Sequence, residues 1–160
     1  MKPSVYIESS VISYLVARPS QSVVVAGHQA TTAAWWERSL PEFQPFVSLL
    51  VVEEISAGDP AEAHKRLQSI EGFAVLRVPQ EARALASEYF DASPLPERAR
   101  ADAVHVALAT HHGMDCLVTW NCRHIANEKI RAIVRGINER HGLATPEICT
   151  PEEHLELADG

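Results

Sequence analysis

Several things are scarce in this sequence, and each scarcity excludes a class of protein. Cys116, Cys122 and Cys149 are odd in number and form no CxxC pair, so neither a disulfide framework nor a zinc knuckle is expected, only reduced packing residues. No apolar run reaches the roughly 20 residues that a bilayer demands; residues 46–52 and 104–109 are the longest. The amino terminus places Lys2 ahead of a strand-like segment containing Glu8, without the apolar stretch and small-residue cleavage site of a signal peptide. A cytoplasmic protein with no membrane partner is expected. GxGxxG, Walker and GxSxG motifs are all missing, and the eight histidines fall at no metalloprotease spacing, which leaves nucleotide folds, hydrolase triads and zinc proteases unsupported. Positive charge is also in deficit: the formal net charge of −7 is the opposite of a generic nucleic-acid coat.

What is present is an ordinary globular composition in 160 residues, enough for one core and too short for two comfortable domains. A single domain over 1–160 is expected. The stretch from Asp102 to Asn121, DAVHVALATHHGMDCLVTWN, is its centre. An acid followed by alanine and aliphatic residues predicts a helix with Ala103, Val106, Ala107 and Thr110 on one face. Gly113 stops it, and residues 116–119 read as a short buried strand with Asn121 just past its end. Upstream, residues 4–8 predict a first strand ending at Glu8, with Ser9 and Ser10 as caps for a short helical turn over 11–16. A longer helix over 22–38 follows, with Val25, Ala33 and Trp36 among its inward candidates. A strand over 46–48 leads into a helix over 49–57 and another over 60–70. Next come a strand over 73–78, a helix over 79–91 and a proline-bearing loop. Residues 125–140 predict a helix, Ile148 a short edge strand, and 151–157 a final helical turn. Strands alternating with helices imply a parallel α/β sheet.

In such a sheet, side chains just past the carboxyl ends of strands converge on one crevice. Glu8 ends the first strand, Glu54, beside Glu53, lies on a helix after a strand, Asp102 opens the central helix, and Asn121 adds a neutral oxygen. Carboxylates gathered there repel each other, and a hard divalent cation is the simplest compensator. Oxygen ligands suit Mg²⁺ or Mn²⁺ better than zinc, and such a cation serves phosphodiester hydrolysis. His105, one turn from Asp102, reads as a packed or hydrogen-bonded residue; His111 and His112 sit at the negative end of a helix dipole. Between Trp120 and His141 five basic residues (Arg123, Lys129, Arg131, Arg135, Arg140) face two acids (Glu128, Glu139), a local balance of +3. That leaves a local basic face, with Arg123 and Lys129 in it, available to backbone phosphates. Val23, Val24, Trp35 and Trp36 look like more apolar surface than one small domain buries, which predicts a homodimer.

These residues resemble the PIN domain family and, within it, the VapC-like toxins of type II toxin–antitoxin systems. VYIESSVISYL resembles the opening strand with its acid, SLLVVEEISAG the second motif, DAVHVALA the third and LVTWNCRHIAN the fourth. The position of the acid relative to the glycine in the second motif selects Glu54 over Glu53. The resemblance implies a three-layer α/β/α sandwich with a mainly parallel central sheet, and a Mg²⁺- or Mn²⁺-dependent endoribonuclease with a small antitoxin protein as partner. It implies Glu8, Glu54, Asp102 and Asn121 as catalytic and metal-site residues, with Ser10 and Thr119 in support. Glu8 stands where aspartate is usual, and Asn121 where aspartate is common. Three carboxylates then balance one dication with −1 left over, so one protein-held metal is implied. The rival reading is a catalytically weakened PIN-like module that binds nucleic acid or a protein partner.

Overall fold

The computed structural model describes the backbone of residues 1–159 and the side chains of residues 1–155. Five strands, β1 (Ser4–Ile7), β2 (Gln44–Ser48), β3 (Ala74–Leu76), β4 (Cys116–Val118) and β5 (Glu147–Cys149), form one sheet in the order β3-β2-β1-β4-β5. Every pairing is parallel. Eight α-helices connect them: α1 (Ser9–Val16), α2 (Val23–Arg38), α3 (Leu49–Ile55), α4 (Pro60–Ser69), α5 (Gln80–Ala92), α6 (Arg100–His111), α7 (Glu128–Arg140) and α8 (Pro151–Asp159).

The strand order dictates the layers. Right-handed crossovers that step from β1 to β2 to β3 in one direction place α1 to α4 on one face. The return from β3 to β4 reverses direction and sends α5 and α6 to the other face, where α7 follows. Helix packing agrees: α1 lies against α2, α3 and α4, and α8 against α2, while α5 packs on α6 and α7. The result is the expected α/β/α sandwich, and its sheet is wholly parallel. Covered on both faces, the middle strands lose their alternation; Val5, Tyr6, Ile7, Leu117 and Val118 are all fully buried. Helix α6 is buried almost all round, from Ala103 through Thr110. The connections leave β1 and β4 toward opposite faces, so a crevice opens between their carboxyl ends, at the topological switch point of the sheet.

Several boundaries move for identifiable reasons. Helix α7 begins at Glu128, not at 125, because the Asn127 side chain caps it by accepting the Ile130 N–H at 3.0 Å. Residues 121–127 instead form a loop wound on the Asn121 carbonyl, which accepts from Ile125 and Ala126. Helix α6 starts at Arg100, behind a 3-10 turn over Glu97–Ala99, so Asp102 lies in its first turn. Helix α1 is capped by Glu8, whose carboxylate accepts the Ser10 N–H at 3.2 Å, and not by Ser9 or Ser10. The inward face of α2 carries Thr32 and Trp35, whereas Ala33 is exposed. Trp35 is fully buried, and its indole N–H donates to His154 Nδ1 of α8 at 2.9 Å; it cannot contribute to an exposed apolar surplus. Val23 and Val24, 87% and 68% exposed, do.

Candidate active site

Three strand ends deliver the polar residues of the crevice. Glu8 follows β1, Ser48 closes β2 and caps α3, and Thr119 follows β4. Glu8 is buried, and its Oε1 collects three donors: the Ser10 amide, the Ser10 hydroxyl and the Thr119 hydroxyl, the last at 2.6 Å. Ser10 Oγ also accepts the Trp120 N–H at 2.9 Å, and Thr119 Oγ1 accepts the Asn121 N–H at 2.9 Å. The two loops that diverge from the switch point are thus stitched together through one carboxylate oxygen and two hydroxyls.

Glu54 occupies the neighbouring position from α3. Its Oε1 accepts from Ser9 Oγ at 2.6 Å and from His105 Nε2 at 2.7 Å. His105 is fully buried on α6 and continues through Nδ1 to the Tyr6 hydroxyl at 2.7 Å, which lies 2.8 Å from Ser48 Oγ. Ser48 Oγ accepts the Val51 N–H and so caps the same helix that carries Glu54. The circuit Ser48–Tyr6–His105–Glu54 therefore grips α3 at both ends and fixes the Glu54 carboxylate. Burial opposes an imidazolium at His105, but the hydrogen bond to Glu54 and the charges of Glu8, Glu54 and Asp102 outweigh it and raise its pKa. Burial likewise pushes the Glu54 carboxyl up, yet His105 and Ser9 prevail and hold it below its usual value. Desolvation drives the Tyr6 phenol far upward, so it stays protonated.

Asp102 and Asn121 meet through an intermediary. Asp102 Oδ2 accepts from His124 Nδ1 at 3.0 Å, and Asn121 Oδ1 accepts the His124 N–H at 2.9 Å. Glu8, Glu54 and His105 present ligand atoms that all lie within 4.8 Å of one another. Asp102 falls outside that tight group, but its charge acts on His105 together with those of Glu8 and Glu54. Asn121 spends its amide oxygen on its own loop.

The electrostatics are more telling than the contacts. Glu8 and Glu54 each have one oxygen held by protein donors and one, Oε2, that accepts nothing among the described residues; Asp102 Oδ1 is free in the same sense. None of the three is paired with a lysine or arginine among the described residues. Three acids held by hydroxyls, amides and histidines, each with one oxygen unclaimed, form a hard oxygen-rich donor set. That set fits a Mg²⁺- or Mn²⁺-type cation.

Sequence reasoning missed Ser9, His105 and His124 as members of the edge. His105 was legible as a hydrogen-bonded helix residue, and its i+3 spacing from Asp102 places it one turn deeper along the same helix. Nothing local marks His124 or Ser9, whose partners are 22 and 45 residues away. The basic stretch after Trp120 is partly spent: Arg131 binds the Ile148 carbonyl and Glu153, and Arg135 pairs with Glu128. Arg123 and Lys129 are exposed, and their side chains pair with nothing among the described residues.

No family model and no curated protein matches the chain. Among solved structures, Mycobacterium tuberculosis VapC20, described as a sarcin–ricin-loop-cleaving toxin, is similar in fold. The TM-score is 0.55 at 16% sequence identity, over 71% of this chain and 87% of that one. At that identity the likeness concerns the fold alone, and the architecture built around this crevice is PIN-like.

Proposed function

We propose that this chain is a metal-dependent endoribonuclease of VapC type, the toxin of a toxin–antitoxin pair. The observation that carries the reading is the set of three acids at the switch point, each with one oxygen immobilised and one free, and none neutralised by a lysine or arginine. Fixing such a set costs stability through like-charge repulsion, and its use is to receive positive charge. Glu8, Glu54 and Asp102 would hold one Mg²⁺ or Mn²⁺, which when bound supplies Lewis-acid activation of water and charge neutralisation at phosphate. Ser10 and Thr119 orient Glu8, while Ser9 and His105 orient Glu54. Asn121 shapes the loop that brings His124 onto Asp102. In the overall reaction a water oxygen bonds to phosphorus, one ester P–O bond breaks, and the leaving oxygen takes a proton. Arg123 and Lys129 are available to backbone phosphates. The reading includes an RNA substrate, a small antitoxin partner, a cytoplasmic setting and a homodimer joined where Val23 and Val24 are exposed.

The test is calorimetric titration of Mn²⁺ and Mg²⁺ beside cleavage of mixed RNA. Asp102→Asn preserves shape and removes one charge, so affinity and cleavage both fall. Asn121→Asp adds a carboxylate, and at an effective dielectric near 20 a neighbouring charge is worth on the order of a few kcal/mol to a cation; affinity rises. A parent that binds no metal and cuts nothing, with Asn121→Asp equally inert, hands the site to the binding-module reading.

A further inference from the structure

A cavity of about 970 Å³ opens between α3, β3, α5 and α6. Its walls are the helices that carry the candidate site: Glu53 precedes Glu54 on α3, and Ala101 precedes Asp102 on α6. The groove is thus walled by the residues next in sequence to two of the acids. Apolar side chains, Leu50, Val78 and Val104 with the exposed Leu49 and Val75, form its surface. Charge enters from three arginines and one acid, Arg77, Arg83, Arg100 and Glu53, a local positive excess in a chain of net −7. Arg100 is already anchored, bidentate on Glu97 at 2.8 and 3.0 Å with its guanidinium 4.1 Å over the Phe90 ring. The Arg77 and Arg83 side chains are exposed and pair with nothing among the described residues.

We infer that this groove is the substrate subsite for unpaired nucleotides flanking the scissile phosphate, and that Glu53 selects guanine there. The inference deepens the ribonuclease reading and rests on it for the substrate class. A strand laid over the carboxylate edge must leave along one of its walls, and the α3–α6 wall combines two arginines unpaired among the described residues, Arg77 and Arg83, for phosphates with apolar surface for base faces. The single acid decides between nucleic acid and an acidic peptide. A carboxylate in the groove repels the peptide, but it accepts both N1–H and the N2 amino group of guanine. Adenine and cytosine offer one amino group, and uracil flanks its only N–H with carbonyls.

The experiment measures anisotropy of labelled UUUGUUU, UUUAUUU, UUUCUUU and UUUUUUU ribonucleotides with the full chain in EDTA, so that binding is read apart from cleavage. The parent prefers the guanine heptamer. Arg77→Glu with Arg83→Glu weakens all four about tenfold at low salt, and the difference shrinks as salt rises. Glu53→Gln lowers affinity for the guanine heptamer about fivefold and leaves the other three heptamers near their parent values. All variants are at exposed positions and are checked for folding by circular dichroism. Heptamer affinity indifferent to the arginines overturns the groove, even if the parent cleaves RNA. Arginine-dependent binding without cleavage under any divalent metal overturns the ribonuclease reading and keeps the groove as an RNA site. Binding of a Glu-rich peptide at the arginines with no heptamer binding overturns the inference in favour of a protein partner. Equal affinity for all four heptamers overturns the guanine assignment.

Discussion

The two ends of α6 carry two polar networks made from the same kinds of bonds, one buried and one partly open to solvent, with opposite outcomes. At the carboxyl-terminal end, the Tyr89 hydroxyl lies against Asn138 Oδ1 and Thr110 Oγ1, and the Asn138 amide donates to Thr145 Oγ1 at 2.9 Å. Every group there is neutral and no buried side-chain nitrogen or oxygen lacks a partner among the described residues; burial pushes the Tyr89 phenol up to about 12, which keeps it neutral. At the amino-terminal end stand three carboxyl groups, those of Glu8, Glu54 and Asp102, each with one oxygen that accepts nothing among the described residues. A closed neutral network returns stability, because no desolvated group is left over. A half-open charged one returns less, since His105, whose pKa these acids raise, offsets their repulsion only in part. On the proposed function, the contrast gives structure to one end of the helix and chemistry to the other.

That contrast can be broken by mutation. Glu54→Gln keeps the shape and removes the charge; RNA cleavage should fall on the order of 100-fold, equivalent to nearly 3 kcal/mol in the barrier, while thermal stability changes little, because relief of repulsion from the other acids is set against the lost partner of buried His105. A variant that loses stability and keeps activity would reverse the assignment. Asn138→Ala should do the opposite, costing about 2–3 kcal/mol in denaturant unfolding by stranding Tyr89 and Thr110 and leaving a void. Its cleavage rate per folded molecule should stay at the parent value. Tyr6→Phe sharpens the picture, because it opens the circuit behind Glu54 without touching a carboxylate: about 1 kcal/mol of stability and a several-fold loss of cleavage are expected.

The smallest effect is a control outside both networks. Burial lowers the His154 pKa, against an opposing influence of Glu147, where the ring accepts the Trp35 N–H. Protonation is thus easier in the unfolded chain. The associated stability is fully present above the unfolded histidine range and is lost as pH falls through the lower folded pKa. Denaturant melts across that window should lose this slope in His154→Gln, and an unchanged slope would place the titration elsewhere.

How much of this was legible beforehand follows from the range of each interaction. Strand and helix alternation, the stop at Gly113 and the buried face of α6 are written within a few residues, in apolar periodicity and turn chemistry, and they were readable. So was the succession of acids behind strands, because parallel strands all expose their carboxyl ends at one edge. Boundaries failed where a side chain had two possible uses. Asn127 could have been a helix residue and is a cap; Glu8 could have ended a strand and instead also caps α1. The apolar surplus of α2 was half misread because Trp35 is covered by α8, more than a hundred residues away in sequence.

By itself, then, the sequence determined the α/β class, the PIN-like order of elements and the succession of acids near strand ends, all of which depend on local pattern and chain direction. Only the tertiary structure decided which oxygens are held and which stay free. Thr119 reaches Glu8 across 111 residues and His105 reaches Glu54 across 51. Tyr6 joins His105 to the cap of α3, and His124 rather than a metal-facing geometry ties Asn121 to Asp102. Such bonds have no spacing rule, because they exist only after β1, β2 and β4 have been set side by side by the burial of their apolar faces.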